Sequence, residues 1–299
     1  MTLFAFVLVF ASVFLHVAWN FISKSTKPSL AFYMLMSGTA ALIWLPFFLT
    51  SDLRLSSLPL YFFLFYLGSV ASEVMYVAGL AYAYRRGDIS LVYPLVRAIP
   101  VLLVAAVTIL FGLGRTPGRL ALLGMLIITL GCILMPLKRF RDFKLSNYMD
   151  WIIIFILLGA VGTTGYTILD SSAMALIRQT MERNNVSDLL AYLFMVEAGL
   201  TVGQMFFVVS IRREREEFRR LFLHSVSPVL AGICSSCAYG LILFAMAYVT
   251  NVSYIQAFRQ MSLPLGFFAG ILILKESHST PKVFGIVLIV LGLIMVSLG

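Results

Sequence analysis

Apolar runs of about twenty residues recur from one end of the chain to the other, and only short polar stretches separate them. As a helix, a run of that length crosses the ~30 Å hydrocarbon core of a bilayer, and a helix satisfies its main-chain polar groups internally. Lipid is therefore the solvent this chain is expected to fold in. Composition agrees, with 61% of the 299 residues hydrophobic and 12% charged, where a soluble protein would have roughly a quarter charged. Membrane-crossing strands alternate over about ten residues. These runs are longer and uniformly apolar, so the expected fold class is an all-α integral membrane protein.

Ten segments read as transmembrane helices: 3–22, 29–49, 60–84, 88–112, 118–136, 151–176, 188–211, 227–250, 252–274 and 281–298. The first has neither a basic leader nor a small-residue cleavage site, and is expected to be retained as a span. The longest polar connections are "KRFRDFKLSNYMD" (138–150) and "IRREREEFRRLF" (211–222). Loops after odd-numbered spans hold fifteen Lys and Arg, and loops after even-numbered spans hold five. The excess of positive charge in cytoplasmic loops then predicts both termini on the non-cytoplasmic side, in what is expected to be a bacterial inner (plasma) membrane. That loop bias accounts for the net charge of +9, and no nucleic-acid partner is expected. Cys132, Cys234 and Cys237 all fall within apolar runs and read as small packing residues. With three histidines in distant segments, neither a metal site nor a cofactor is expected.

The chain also repeats itself. "GLAYAYRRGDISLVYPLVRAIPVLL" (79–103) aligns with "LFAMAYVTNVSYIQAFRQMSLPLGF" (243–267), and "LLGMLIITLG" (122–131) with "VFGIVLIVLG" (283–292). More weakly, "LHVAWNFISKS" (15–25) answers "TTGYTILDSSA" (163–173), which sets Trp19 opposite Tyr166. The division is residues 1–137 as a first five-helix repeat, 138–150 as a basic cytoplasmic linker and 151–299 as a second repeat. Five spans is an odd number, so the second repeat must enter the membrane inverted. Inverted repeats typify secondary transporters, which bind substrate near the midplane between halves and expose it alternately to either side. The pairs Gly124, Gly131 and Gly285, Gly292 each put small residues on one helix face, and are expected to be packing seams.

Two five-span repeats, a short linker, the G-D-x-S…Y-P…P run entering the fourth span and "LKE" after the ninth together resemble the EamA-type branch of the drug/metabolite transporter superfamily. "HVAWNFISK" and "GDISLVYPLVRAIP" are similar to a subgroup with H-x-x-W-N and Y-P-L-x-R-x-x-P motifs. The resemblance covers nearly the whole chain. It implies ten helices in two inverted repeats and transport of an amino acid, metabolite, sugar derivative or toxic compound. One departure is visible: Arg115 stands where the second repeat has Glu276, at a position usually acidic in both halves.

Five ionisable residues lie well inside spans, namely Glu73, Arg97, Asp170, Glu197 and Arg259, with His16 as a sixth titratable group. Charges in hydrocarbon are costly, so such residues usually face the bundle interior, pair with one another or mark a pathway. Arg97 and Arg259 lie on inverted equivalent spans, the fourth and the ninth, and would approach the midplane from opposite faces. A guanidinium stays charged and offers a planar fork of donors, so the two are candidate ligands for an anionic group, with static pairing to an acid as the alternative. Tyr93 and Gln256, just before them, are candidate lining groups. His16, Trp19 and Asn20 share one helix face and would line the cavity or tie helices together. Pro94, Pro100 and Pro264 each remove an intrahelical hydrogen bond and are expected to break helices, freeing carbonyls for substrate or water. Glu73, Asp170 and Glu197 are candidates for proton coupling or for counter-ions. Glu197 has the fewest polar sequence neighbours, while Asp170, near Tyr166 and Thr167, equally reads as a hydrogen-bonded packing group.

The function expected is secondary active transport of a small organic metabolite, anion or zwitterion, by alternating access, proton-coupled or by exchange. A flippase for an anionic lipid headgroup is the alternative. An intramembrane enzyme is not expected: the chain has no G-x-G-D, G-x-S-G or H-E-x-x-H. Expected partners are the bilayer, a small-molecule substrate and protons; two fused halves make a monomer sufficient and are compatible with a dimer.

Overall fold

The computed structural model describes residues 2–26, 29–86, 89–142, 151–274 and 279–299, with side chains for all of these except 24, 25, 85, 86, 89–91, 93, 270 and 272–274. Helices run α1 Leu3–Ser25, α2 Leu30–Leu49, α3 Leu60–Arg86, α4 Ile89–Leu110, α5 Arg119–Leu134, α6 Ile152–Met181, α7 Val186–Ser210, α8 Arg212–His224, α9 Ser227–Ala245, α10 Val252–Phe258, α11 Ser262–Leu274 and α12 Thr280–Leu298. No strand occurs among the described residues. Seven helices there are long and apolar enough to cross a membrane: α1, α2, α3, α6, α7, α9 with the 3-10 turn that extends it, and α12. The apolar part of α4 from Pro94 onward and all of α5 are shorter. The expected basic linker falls largely on residues 143–150, outside the described ones, as do Gly87, Asp88 and Glu276.

Helix starts follow local chemistry. Thr2, Ser29, Asn185, Asn251 and Ser279 cap α1, α2, α7, α10 and α12, each side-chain oxygen accepting a backbone N–H of the first turn. Large apolar side chains such as Leu42, Leu64, Leu126, Phe206 and Ile294 point outward, while Ser, Thr, Ala and ionisable residues are buried. That is the distribution expected where lipid surrounds the bundle and polar groups must find partners inside.

Three expectations are corrected. Pro94 and Pro100 do not break their helix: α4 runs through both. A proline loses only its own N–H bond, and transmembrane helices tolerate that loss where neighbours supply compensating contacts. The break falls instead in the ninth segment, where α10 ends at Phe258, a 3-10 turn spans Arg259–Met261 and α11 starts at Ser262, with Pro264 in its first turn. The stretch 211–222, read as a polar connection, is the helix α8; its buried residues Glu214 and Leu221 lie seven apart, a helical repeat that its charge density hid.

The most extensive pairings are α3 with α6, α5 with α12, α2 with α7 and α1 with α9. Each joins a helix before residue 143 to one after 151. Glycine makes the α5–α12 approach close. A Cβ on Gly124 would stand 2.6 Å from the Gly292 carbonyl oxygen, and one on Gly285 2.6 Å from that of Gly131. The order of these contacts is antiparallel. α2 and α7 also run antiparallel, with Ser37 near Thr201 and Phe48 near Phe194.

Candidate functional site

A cavity of about 70 Å³ lies among α1, α2, α3, α6, α7, α9 and the turn at Arg259. Its wall includes His16 and Trp19 from α1, Tyr33 and Met36 from α2, Glu73 and Tyr76 from α3, Tyr166 from α6, Glu197 from α7, Tyr239 from α9, and Arg259. The volume suits about two waters and is below the ~150 Å³ of a cavity that holds benzene. Tyr33 follows the start of α2 by three residues, or ~5 Å. The cavity therefore reaches toward the end of the bundle that carries α8.

The opposite end is stitched shut. Thr2 donates from both its N–H and its hydroxyl to the Tyr248 carbonyl, at 3.4 and 3.3 Å. The Arg115 N–H donates to Thr250 O at 2.9 Å, Asn251 Nδ2 to Leu113 O at 3.1 Å, and Thr108 Oγ1 to Asn251 Oδ1 at 3.2 Å. Gly114 adopts φ +81°, and a Cβ there would lie 2.5 Å from Thr250 O. Only glycine suits both demands.

The two arginines have different environments. Arg97 is 7% exposed and does not line the cavity. Its Nη2 donates to the Arg259 carbonyl at 2.6 Å and to Ser262 Oγ at 2.7 Å, its Nε donates to Gln260 Oε1 at 3.4 Å, and its Nη1 meets His16 Nε2. The carbonyl freed at the helix break is thus held by Arg97 and by the Ser262 hydroxyl. Arg259 is 9% exposed and lines the cavity; its guanidinium sits over the Tyr166 ring at 5.8 Å, and its Nη1 has no hydrogen-bond partner among the described residues. The expectation that both arginines meet in one chamber is corrected: Arg259 faces it, and Arg97 stands behind it, because the interrupted helix exposes acceptors that a forked donor can reach.

Among the described residues neither arginine forms an ion pair with Glu73, Asp170 or Glu197. Glu73 and Glu197 both line the cavity. Asp170 does not; it is fully buried, accepting from Tyr192 Oη at 2.6 Å and from Tyr239 Oη. Its carboxylate is held by side chains of other helices, α7 and α9, rather than by Tyr166 or Thr167. Trp19 Nε1 donates to His16 Nδ1 at 3.1 Å and Asn20 Nδ2 to the His16 carbonyl at 2.7 Å. Trp19 and Arg97 are both donors, and a neutral imidazole accepts at one nitrogen only, so His16 satisfies one of the two at a time.

Asn20 and Gln256 are outside the cavity wall. Gln256 is 2% exposed, and its carbonyl accepts from Gln260 Nε2 at 3.1 Å. The side chain of Tyr93 lies outside the described residues. Sequence reasoning missed Tyr33, Tyr76, Tyr166 and Tyr239 as wall residues; a tyrosine in an apolar run carries no charge to advertise it. Among the described residues no group of three His, Cys, Asp or Glu side chains could hold a metal ion.

No family's sequence profile matches the chain, and no curated protein matches it. Solved structures do: one, described only as "Crystal structure of protein", superposes with a TM-score of 0.68 over 98% of this chain and 97% of its own at 13% identity. That likeness concerns the fold alone.

Proposed function

We propose that the chain is a secondary transporter of the EamA type, built as two inverted five-span repeats, that carries a small zwitterionic metabolite. The observation that carries this reading is Arg259 Nη1, buried at a cavity wall with no acceptor among the described residues. An unpartnered buried donor is costly and calls for a ligand acceptor such as a carboxylate. Glu73 and Glu197 face the same space, so a simple anion would meet two acids there. A molecule with both charges places its carboxylate on Arg259 and its ammonium toward the acids and the phenols. Either acid is also placed to exchange protons with the transported species.

The inverted repeat is supported by the helix pairing. Under the alignment of halves, α2 corresponds to α7 and α5 to α12, and each such pair packs antiparallel. A twofold axis in the membrane plane requires that. α1 with α9 and α3 with α6 are likewise equivalent pairings under the same axis. The basic loops put the cavity's end on the cytoplasmic side and the stitched end outside. At about 70 Å³ the site is too small for most organic metabolites, so the bundle must open for loading.

The test is thermal unfolding of purified protein with zwitterionic, anionic and cationic small molecules. A ligand that binds the folded state raises Tm by mass action. Zwitterions are expected to stabilise the wild type, and Arg259→Gln to abolish the response. Stabilisation by cations alone, or an undiminished response in Arg259→Gln, overturns the reading.

A further inference from the structure

Helix α8 has two neighbouring faces with different occupants. One is taken by the protein. Glu214 is fully buried and its Oε2 accepts from the Ala31 N–H at 3.0 Å in the first turn of α2, and Leu221, seven residues on, is 2% exposed. The next stripe, Arg215, Arg219 and Phe222 at spacings of four and three, is exposed, with Phe222 at 67% and Val226 just beyond the helix at 66%. Residues at i, i+4 and i+7 share one face, so two arginines and an aromatic ring line one exposed strip, with Arg215 Nη1 also donating to the Val209 carbonyl at the end of α7.

The place of this strip in the chain decides what covers it. α7, long and apolar enough to cross a membrane, ends at Ser210, and α9, another such helix, begins at Ser227. With one residue before it and two after it, α8 is held at the boundary where acyl chains give way to headgroups. A short helix there buries its aromatic side chain at the acyl boundary and places its arginines among phosphates. Glu216 and Glu217 do not neutralise the strip: they pair with Arg212 at 3.0 Å and with Arg220 at 2.5 Å.

We propose that the Arg215–Arg219–Phe222 strip of α8 is a binding surface for anionic phospholipid headgroups in the adjoining leaflet. The arginines hold the phosphate, and Phe222 commits the site to a lipid rather than a free phosphate by entering the acyl region. This rests on the membrane reading of the chain and not on the transport reading.

The experiment titrates purified full-length protein in neutral detergent with phosphatidylglycerol, with phosphatidylcholine, or with soluble glycerol phosphate, and follows Tm. Phosphatidylglycerol is expected to raise Tm, with little effect of the other two. Arginines near an anionic surface strengthen its attraction, so Arg215→Gln/Arg219→Gln is expected to raise the half-saturating phosphatidylglycerol concentration at least tenfold. Phe222→Ser is expected to raise it by a smaller factor. The control Arg139→Gln/Arg141→Gln removes the same charge from an exposed stretch outside α8 and is expected to leave the titration unchanged. Equal titration of wild type and the α8 variant, an equal loss in the control, or equal stabilisation by glycerol phosphate overturns the proposal.

Discussion

Arg97 and Arg259 lie two positions out of register in the alignment of the two similar segments, both more than nine-tenths buried, yet one is bonded to protein acceptors and the other faces a cavity. The difference lies in the backbone around them. α4 continues through Arg97 despite two prolines, whereas the chain at Arg259 leaves α-helical geometry for one turn. The interruption does two things at once. It presents the Arg259 carbonyl and the Ser262 hydroxyl to Arg97, which fills its fork, and it swings the Arg259 side chain over Tyr166 beside Glu73 and Glu197. A charge inside a membrane bundle is thus a poor guide to function until its partners are counted.

The largest expected effect separates the pair directly. Arg97→Ala leaves the Gln260 amide oxygen and the Ser262 hydroxyl short of a donor and opens a void at the junction of the halves. The loss of stability is expected to be about 3 kcal/mol or more, read as a fall in Tm. Arg259→Ala removes a buried charge with an unsatisfied nitrogen; replacing such a group is often neutral or stabilising. Its Tm is expected to hold or rise while the Tm response to zwitterions disappears. Equal destabilisation by the two variants would break the contrast. Lysine sharpens it at the next level down. The Arg97 donors reach acceptors in several directions, which one ammonium cannot reproduce, so Arg97→Lys is expected to forfeit about 2 kcal/mol. Arg259→Lys retains a positive charge at the cavity and is expected to keep a weakened ligand response.

Much of this architecture was legible from hydropathy, because a span announces itself by length and apolarity. His16, Trp19, Glu73, Glu197 and Arg259 were legible at the cavity for a related reason: polar groups stand out against hydrocarbon. Trp19 was legible from the face it shares with His16, whereas Tyr166 was set opposite it in the repeat alignment but not read as a wall residue; extending that comparison to the other aromatics is the signal that would have pointed to the tyrosines. Two things were hidden. The continuity of α4 through Pro94 and Pro100 was hidden because a proline in a helical run ordinarily reads as a break. α8 was hidden because its charges outnumber its apolar residues, and its buried stripe includes a glutamate that becomes intelligible only when the first turn of α2 arrives to meet it.

Smaller effects test whether partners, rather than charge, set an arginine's worth. Ser262→Ala keeps Arg97 but removes one of its acceptors and one donor to the Arg259 carbonyl. A net loss of about 1 kcal/mol is expected, below that of Arg97→Lys. Arg183 supplies the lower limit. It meets Asp188 through two hydrogen bonds of 2.8 Å at the start of α7, and it also lies 3.7 Å from Asp52, whose side chain is 83% exposed. The Asp188 contact, through hydrogen bonding first, holds the Arg183 guanidinium more firmly protonated than usual. Asp52 adds only a long, solvent-screened attraction to a cation already forked onto another carboxylate, and such exposed pairs contribute little. Asp52→Asn is therefore expected to leave Tm within ~2 °C of the wild type, and raising the salt concentration to leave the difference unchanged. A larger shift would mean that a distant, wet contact can rival the buried fork of Arg97, and the number of close partners would no longer measure what an arginine contributes.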